Sequence, residues 1–200
     1  MKSILISIKP EYVANILNGY KTLEIRKTKP NIELPCKVYI YCTKGRPYLY
    51  RVNDDNEFEL TKKIRFQDSS CFVKDYNAQN GKVVAEFTLK NISYWQPYWT
   101  SEVMHICDIS EKSCISIEDL MKYCGNKTIY AWHIEDLKIY DNPKELSEFK
   151  KRNKCHYANY EDGCCFECCT FYDLGDCDGK YSKIERSPQS WMFIESLEDE

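Results

Sequence analysis

No apolar run in the 200 residues approaches the roughly 20 that a membrane-crossing helix needs, so a helical membrane anchor is not expected. The first apolar stretch, residues 4–8, is broken by Ser7 and followed at once by Lys9-Pro10. It reads as a strand rather than a signal peptide, which makes a cytoplasmic protein the expectation. Internal repeats and low-complexity tracts are lacking. So is a surplus of positive charge: 28 Lys and Arg stand against 31 Asp and Glu, a net −3, which argues against a general nucleic-acid coat protein. The charge is nevertheless uneven. Residues 1–51 hold ten Lys or Arg and three acids, a balance of +7, so the remainder carries −10. Such asymmetry points to an anionic partner for the basic part. A 43% hydrophobic content is enough for one packed domain with insertions and marginal for two, so residues 1–200 read as a single domain.

What is present is concentrated in residues 7–26. Residues 11–17 put Val13, Ile16 and Leu17 on one helical face, and Asn18-Gly19 supplies a stop. Lys21 to Arg26 then alternates, with Thr22, Glu24 and Arg26 on one side of a strand and Leu23 and Ile25 on the other. An ammonium, a hydroxyl, a carboxylate and a guanidinium fall within six residues, a floor for a polar ligand. The competing reading is structural: a Glu24–Arg26 or Glu24–Lys21 pair that fastens the strand. Further strands are predicted at 3–8, 38–43, 82–89, 129–134 and 191–194. A second helix is predicted at 117–123, with Ser116 as N-cap and Glu118-Asp119 in its first turn.

The pattern Gly19-x-Lys21-x-x-Glu24-x-Arg26, after Lys9-Pro10 and a one-helix spacer, resembles the signature of the ASCH domain, a branch of the PUA-like superfamily. Residues 35–44 resemble the family's next strand, which commonly ends in a Thr, here Thr43. Gly81 through Glu86 and Phe87 resemble the following strand. Residues 130–137 with 143–146 resemble the late strand and loop, and Pro188-Gln189-Ser190-Trp191 the closing strand of prokaryotic members. The resemblance spans most of the chain apart from residues 45–80, read as an inserted hairpin, and 151–185, read as a cysteine-rich insertion. It implies an α+β fold, a small mixed β-barrel with flanking helices, and recognition of RNA or of a nucleotide or nucleoside.

Some members of the family are hydrolases that remove the acetyl group from N(4)-acetylcytidine with a Lys, a Thr and a Glu; others cleave RNA. Lys21 matches the lysine, but Glu24 stands where the amidohydrolase branch has its Thr. Thr22 cannot replace it on a simple alternating strand, which counts against deacetylation. The remaining groups suit anion binding and acid–base work. Lys21 and Arg26 can grip a phosphate beside Thr22, and Lys9 and Lys44 extend the patch. Glu24 can accept from an exocyclic amine or act as a general base. For metal-free RNA cleavage Tyr41 and Ser190 join Lys21 and Glu24 as the candidate catalytic set. His133, on a strand between Trp132 and Ile134, reads as a packed or surface residue rather than a base. Three functions follow: an RNA- or nucleotide-binding domain; a hydrolase acting on RNA or a modified nucleoside; and a protein-interaction or regulatory module.

Two other features carry readings. Tyr48, Tyr50 and Val52, the turn Asn53-Asp54-Asp55-Asn56, then Phe58 and Leu60 signal a β-hairpin. Tyr94, Trp95, Tyr98 and Trp99 form either a core corner or a base-stacking surface. Of the twelve cysteines, six fall between Cys155 and Cys177, with one Cys-x-x-Cys, Cys165 to Cys168, flanked by Cys164 and Cys169. The segment is polar enough to need a staple. A structural zinc on Cys155, Cys164, Cys168 and Cys177 is one reading, with Cys165, Cys169 or His156 as substitutes, and reduced or redox-active thiols are the other.

Overall fold

The computed structural model describes residues 2–52, 57–62, 78–97, 105–153 and 181–197. In chain order its elements are β1 (Lys2–Ile8), α1 (Pro10–Leu17), β2 (Leu23–Arg26), β3 (Cys36–Cys42), β4 (Tyr48–Arg51), β5 (Phe58–Thr61), β6 (Val83–Leu89), β7 (Ile92–Trp95), α2 (Ile106–Ser113), α3 (Ile117–Cys124), β8 (Ile129–His133), β9 (Glu135–Lys144), β10 (Lys150–Arg152), β11 (Tyr181–Lys183) and β12 (Trp191–Glu195). Among the described residues no helix is long and apolar enough to cross a membrane.

The architecture is mixed α+β. Five strands form the main sheet in the order β12-β1-β3-β6-β9, three form a second sheet in the order β2-β8-β7, and β4-β5 and β10-β11 are two-stranded ribbons. β1 and β3 run parallel, with Ile4 opposite Val38 and Ile8 opposite Cys42. Side chains of the main sheet alternate between two cores. Ile4, Ile6, Val38, Ile40 and Phe87 pack with α1 and with Trp132 of the second sheet. Leu5, Tyr39, Tyr41 and Val83 pack on the other face, against Phe149 and Ile184. A third core lies between Leu23, Ile25 and Ala131 on the outer face of the second sheet and Ile109, Leu120 and Cys124 of α2 and α3.

A closed barrel was expected from the family resemblance. Among the described residues no sheet closes on itself. On one side the two sheets are continuous through chain corners: β6 leads into β7, and β8 into β9. Lys90 holds that corner through Asp136 (2.9 Å) and Glu135 (3.3 Å). On the opposite side the edge strand β2 and the edge strand β12 have no backbone ladder between them. This open seam is where the candidate site lies.

The six predicted strands and both predicted helices form, within two residues of their expected ends. Ser116 caps α3 by accepting from Asp119 N. The hairpin forms with Leu49 opposite Leu60 and Arg51 opposite Phe58. It is docked on α1 by Asn18, whose side-chain amide exchanges two hydrogen bonds with the Phe58 backbone (2.9 and 3.0 Å). The sequence reading missed α2, β7, β9, β10 and β11. α2 carries only Ile109 and Ser113 as buried positions and ends at Cys114 in the left-handed region, φ 54, where glycine is the usual signal.

Candidate functional site

β2 is four residues long, and its two faces do different work. Leu23 and Ile25 turn to the third core. Glu24 and Arg26 turn inward, in register with Trp132 and Tyr130 of β8. The stop of α1 sets how the chain enters this strand. Gly19 takes φ +79, and Tyr20 N and Lys21 N both donate to Asn15 O (2.8 and 2.9 Å). The turn leaves Lys21 beneath the strand rather than on it.

Lys21 is only 2% exposed. Its Nζ donates to Leu23 O (2.7 Å) and Ser113 O (2.9 Å) and stands 3.2 Å from Glu24 Oε2. These three acceptors match the three hydrogens of an ammonium. Burial holds its pKa below the usual lysine value, opposed by the charge and hydrogen bond of Glu24. The other carboxylate oxygen, Glu24 Oε1, lies 2.9 Å from Arg26 Nη2. Arg26 also donates to Ser7 O from Nη2 (2.7 Å) and to Ser190 Oγ from Nη1 (3.1 Å). Ser7 is fixed in turn, its N donating to Ser190 O (2.9 Å) and its Oγ to Pro188 O (2.7 Å).

The result is one row of charges, running from the end of α2 through Lys21, Glu24 and Arg26 to the residue before β12. It spans the open seam, where side chains supply the connection that a strand ladder would supply in a closed barrel. Two phenols flank it. The ring of Tyr12, on α1, lies 5.2 Å from Lys21 Nζ. Its pKa is raised by burial, then by the charges of Asp119, Glu11 and Glu24. Tyr123, on α3, is raised by burial, opposed by Arg26 and reinforced by Glu24. Lys27 Nζ lies 4.7 Å from the Tyr123 ring, within cation–π range.

This geometry resembles that of known structures at the level of fold. No family model and no curated protein sequence matches the chain. Among solved structures, an ASCH protein from Zymomonas mobilis aligns over 96% of this chain and 87% of its own, with a TM-score of 0.50 and 16% identity. A serine-to-alanine variant of that protein aligns over 96% and 88%, with a TM-score of 0.50 and 15% identity. The chain has the ASCH-domain fold. Identities this low carry the architecture and no residue's role.

The ASCH-like frame gathers some predicted residues and separates others. Lys21, Glu24, Arg26 and Ser190 are brought together. Lys21 has all three hydrogens engaged within the protein, so in this arrangement it braces Glu24 and does not reach out to a phosphate. Lys9 and Lys44 are exposed and adjacent, at the ends of β1 and β3, where Thr43 N donates to Ile8 O (2.9 Å). Thr22 is exposed and is held through its backbone, by Lys112 O (2.8 Å) and Ile134 N (3.0 Å). Tyr41 does not join the row. It is buried in the second core, hydrogen-bonds Ser187, and has its pKa raised chiefly by burial.

His133 is half-buried and hydrogen-bonded to Ser93 Oγ (2.8 Å); burial lowers its pKa, opposed by Glu135 and reinforced by Lys112. Tyr94 of the aromatic cluster is exposed and Trp95 packs on the third core, while Tyr98 and Trp99 lie outside the described residues. The proposed zinc ligands Cys155, Cys164, Cys168 and Cys177 also lie outside them. Among the described residues no group of three or more His, Cys, Asp or Glu is placed to hold a metal. Sequence reasoning missed Tyr12, Tyr123 and Trp132 as neighbours of the charged row. Tyr12 and Tyr123 sit on helices whose relation to β2 only the fold fixes.

Proposed function

We propose that this chain is an RNA- or nucleotide-binding ASCH-like domain, of the barrel-derived PUA-like type, whose ligand enters at the seam between β2 and β12. The observation that carries this reading is the buried Lys21–Glu24–Arg26 row. A polar network between two sheets, with both a cationic and an anionic member at its open end, is costly to maintain and suits a ligand with donors and acceptors of its own. Tyr12 and Tyr123 offer ring faces for a base. Lys9 and Lys44, exposed just after β1 and β3, suit the phosphates that a nucleotide or RNA strand would trail.

The test is the affinity for labelled single-stranded RNA as a function of salt. Binding should weaken linearly in log–log form, and each of Lys9→Ala and Lys44→Ala should lower the slope by about 0.7. Affinity independent of salt and of both lysines would remove the proposal.

The hydrolase alternative draws less support. Its Lys21 is engaged on every hydrogen, and its Tyr41 belongs to the other core. Mass spectrometry of products from structured RNA and from N(4)-acetylcytidine, beside a Ser190→Ala control, tests it: product lost in the control restores the enzyme reading. A structural zinc on the cysteine-rich segment remains our reading of residues 155–177. A partner protein bound through that segment remains the third reading; cysteine replacement would abolish such binding.

A further inference from the structure

Hydrogen-bond accounting at the seam leaves specific groups over. Arg26 Nε–H and Trp132 Nε1–H are both cut off from solvent, and neither meets an acceptor among the described residues. Buried donors without partners are rare and costly, and they point to a bound group or an ordered water. The two belong together. Trp132 is fully buried and stands in register with Glu24; Arg26 is two positions along the same strand, so all three side chains occupy one face. The Trp132 ring lies 5.8 Å from that of Trp191, the neighbour of Ser190, so it reaches the same seam. Glu24 has acceptor capacity in reserve. A carboxylate offers about four lone-pair sites, and Lys21 and Arg26 each occupy one.

The unmet capacity of this face is therefore two N–H donors and about two carboxylate lone pairs. Resting on the nucleotide reading above, we propose that this face recognises the Watson–Crick edge of guanine. Guanine presents adjacent N1–H and N2–H donors, which suit the two oxygens of one carboxylate. Beside them is O6, whose two lone pairs can accept from both Trp132 Nε1 and Arg26 Nε. All four leftover groups are then satisfied. Uracil and cytosine each have one donor site and two acceptors on that edge and leave a Glu24 lone pair unused. Adenine has one of each and leaves both a donor and an acceptor unmet. A phosphate would meet the donors but would face the carboxylate with like charge. Trp132 and Arg26 Nε are accordingly specificity determinants, and Lys21 is a positioning residue that braces Glu24.

The experiment is calorimetric titration of the full chain with the monophosphates of guanosine, inosine, uridine, cytidine and adenosine, and with 1-methylguanosine monophosphate. Guanosine monophosphate should bind at least about tenfold tighter than the adenosine compound, the scale of one well-made bidentate contact. Inosine lacks the N2 amine and 1-methylguanosine lacks N1–H, so both should lose most of that advantage. Trp132→Phe should narrow the guanine-to-adenine ratio. If that variant fails to fold, the inosine and 1-methylguanosine comparison on the unaltered protein decides alone. Equal affinity for all bases overturns guanine recognition and leaves the nucleotide reading standing, and a preference for another base does the same. Failure of every nucleotide and of RNA to bind overturns both.

Discussion

Replacing Glu24 by Gln removes the anion between two buried cations while keeping the shape of the side chain. Lys21, 2% exposed, keeps its two backbone acceptors but loses the only negative charge within reach of Nζ among its described contacts. Arg26 keeps Ser7 O and Ser190 Oγ. Whichever way the new amide is turned, its NH2 group faces one of the two cations. Breaking a buried pair from one side typically costs 3–5 kcal/mol; with the backbone acceptors retained, we expect about 3 kcal/mol. For a urea slope of about 2 kcal/mol/M, the unfolding midpoint should fall by about 1.5 M. Lys21→Met alone should be milder, because Glu24 remains paired with Arg26. The double variant Lys21→Met/Glu24→Gln should recover part of the loss, giving a coupling of about 1–3 kcal/mol in the cycle. A midpoint shift worth less than about 0.5 kcal/mol would mean the row behaves as an exposed ion pair and would refute the account of a braced seam.

Three further outcomes are expected. The lowered pKa of His133 means that, between its folded value and about 6.5, the unfolded chain binds more protons, so its contribution to stability is lost as pH falls through that window. His133→Gln should flatten that limb of the stability–pH curve, and an unchanged limb would show that the ring is not what titrates. Burial pushes the Cys36 thiol up to about 11 and that of Cys42 to about 12, whereas Cys107 is exposed. Brief alkylation of the native protein, mapped by mass spectrometry, should therefore label Cys107 and spare Cys36 and Cys42; labelling of Cys42 would contradict its place in the core. Elemental analysis of protein purified without added metal should find stoichiometric zinc, lost on Cys164→Ser/Cys165→Ser double replacement; none would leave the thiol reading of that segment.

The legibility of this chain follows from where its signals are local. β1, β3 and β6 are apolar enough, and α1 and α3 are marked well enough by Gly19 and Ser116, to be read residue by residue. The inward pairing of Glu24 and Arg26 follows from strand alternation alone. What escaped is non-local. That β2 and β12 meet without a ladder depends on the corners near Lys90 and Ile134, which have no short-range signature. Burial of Lys21 depends on the α2 terminus, a helix that the sequence hides behind a left-handed Cys114. The Lys-Glu-Arg cluster carries two readings, structural fastener and ligand floor, and the second is our proposal. Lys21 is the fastener, and the face shared by Arg26, Glu24 and Trp132 has capacity to spare. Tyr41 lies apart from the row, in the second core, and because its strand is buried on both faces alternation does not tell which core it joins.

The most direct test of the central claim is the indole N–H region of the proton–nitrogen NMR spectrum. The chain has four tryptophans, and each indole gives a signal of its own, assignable by single Trp→Phe replacement. On titration with guanosine monophosphate or a short single-stranded RNA, the Trp132 signal, with that of Trp191 beside it, should shift saturably and more than that of Trp95, which packs on the third core. Saturable binding that leaves Trp132 and Trp191 unmoved would place the ligand elsewhere and contradict the seam as the binding site.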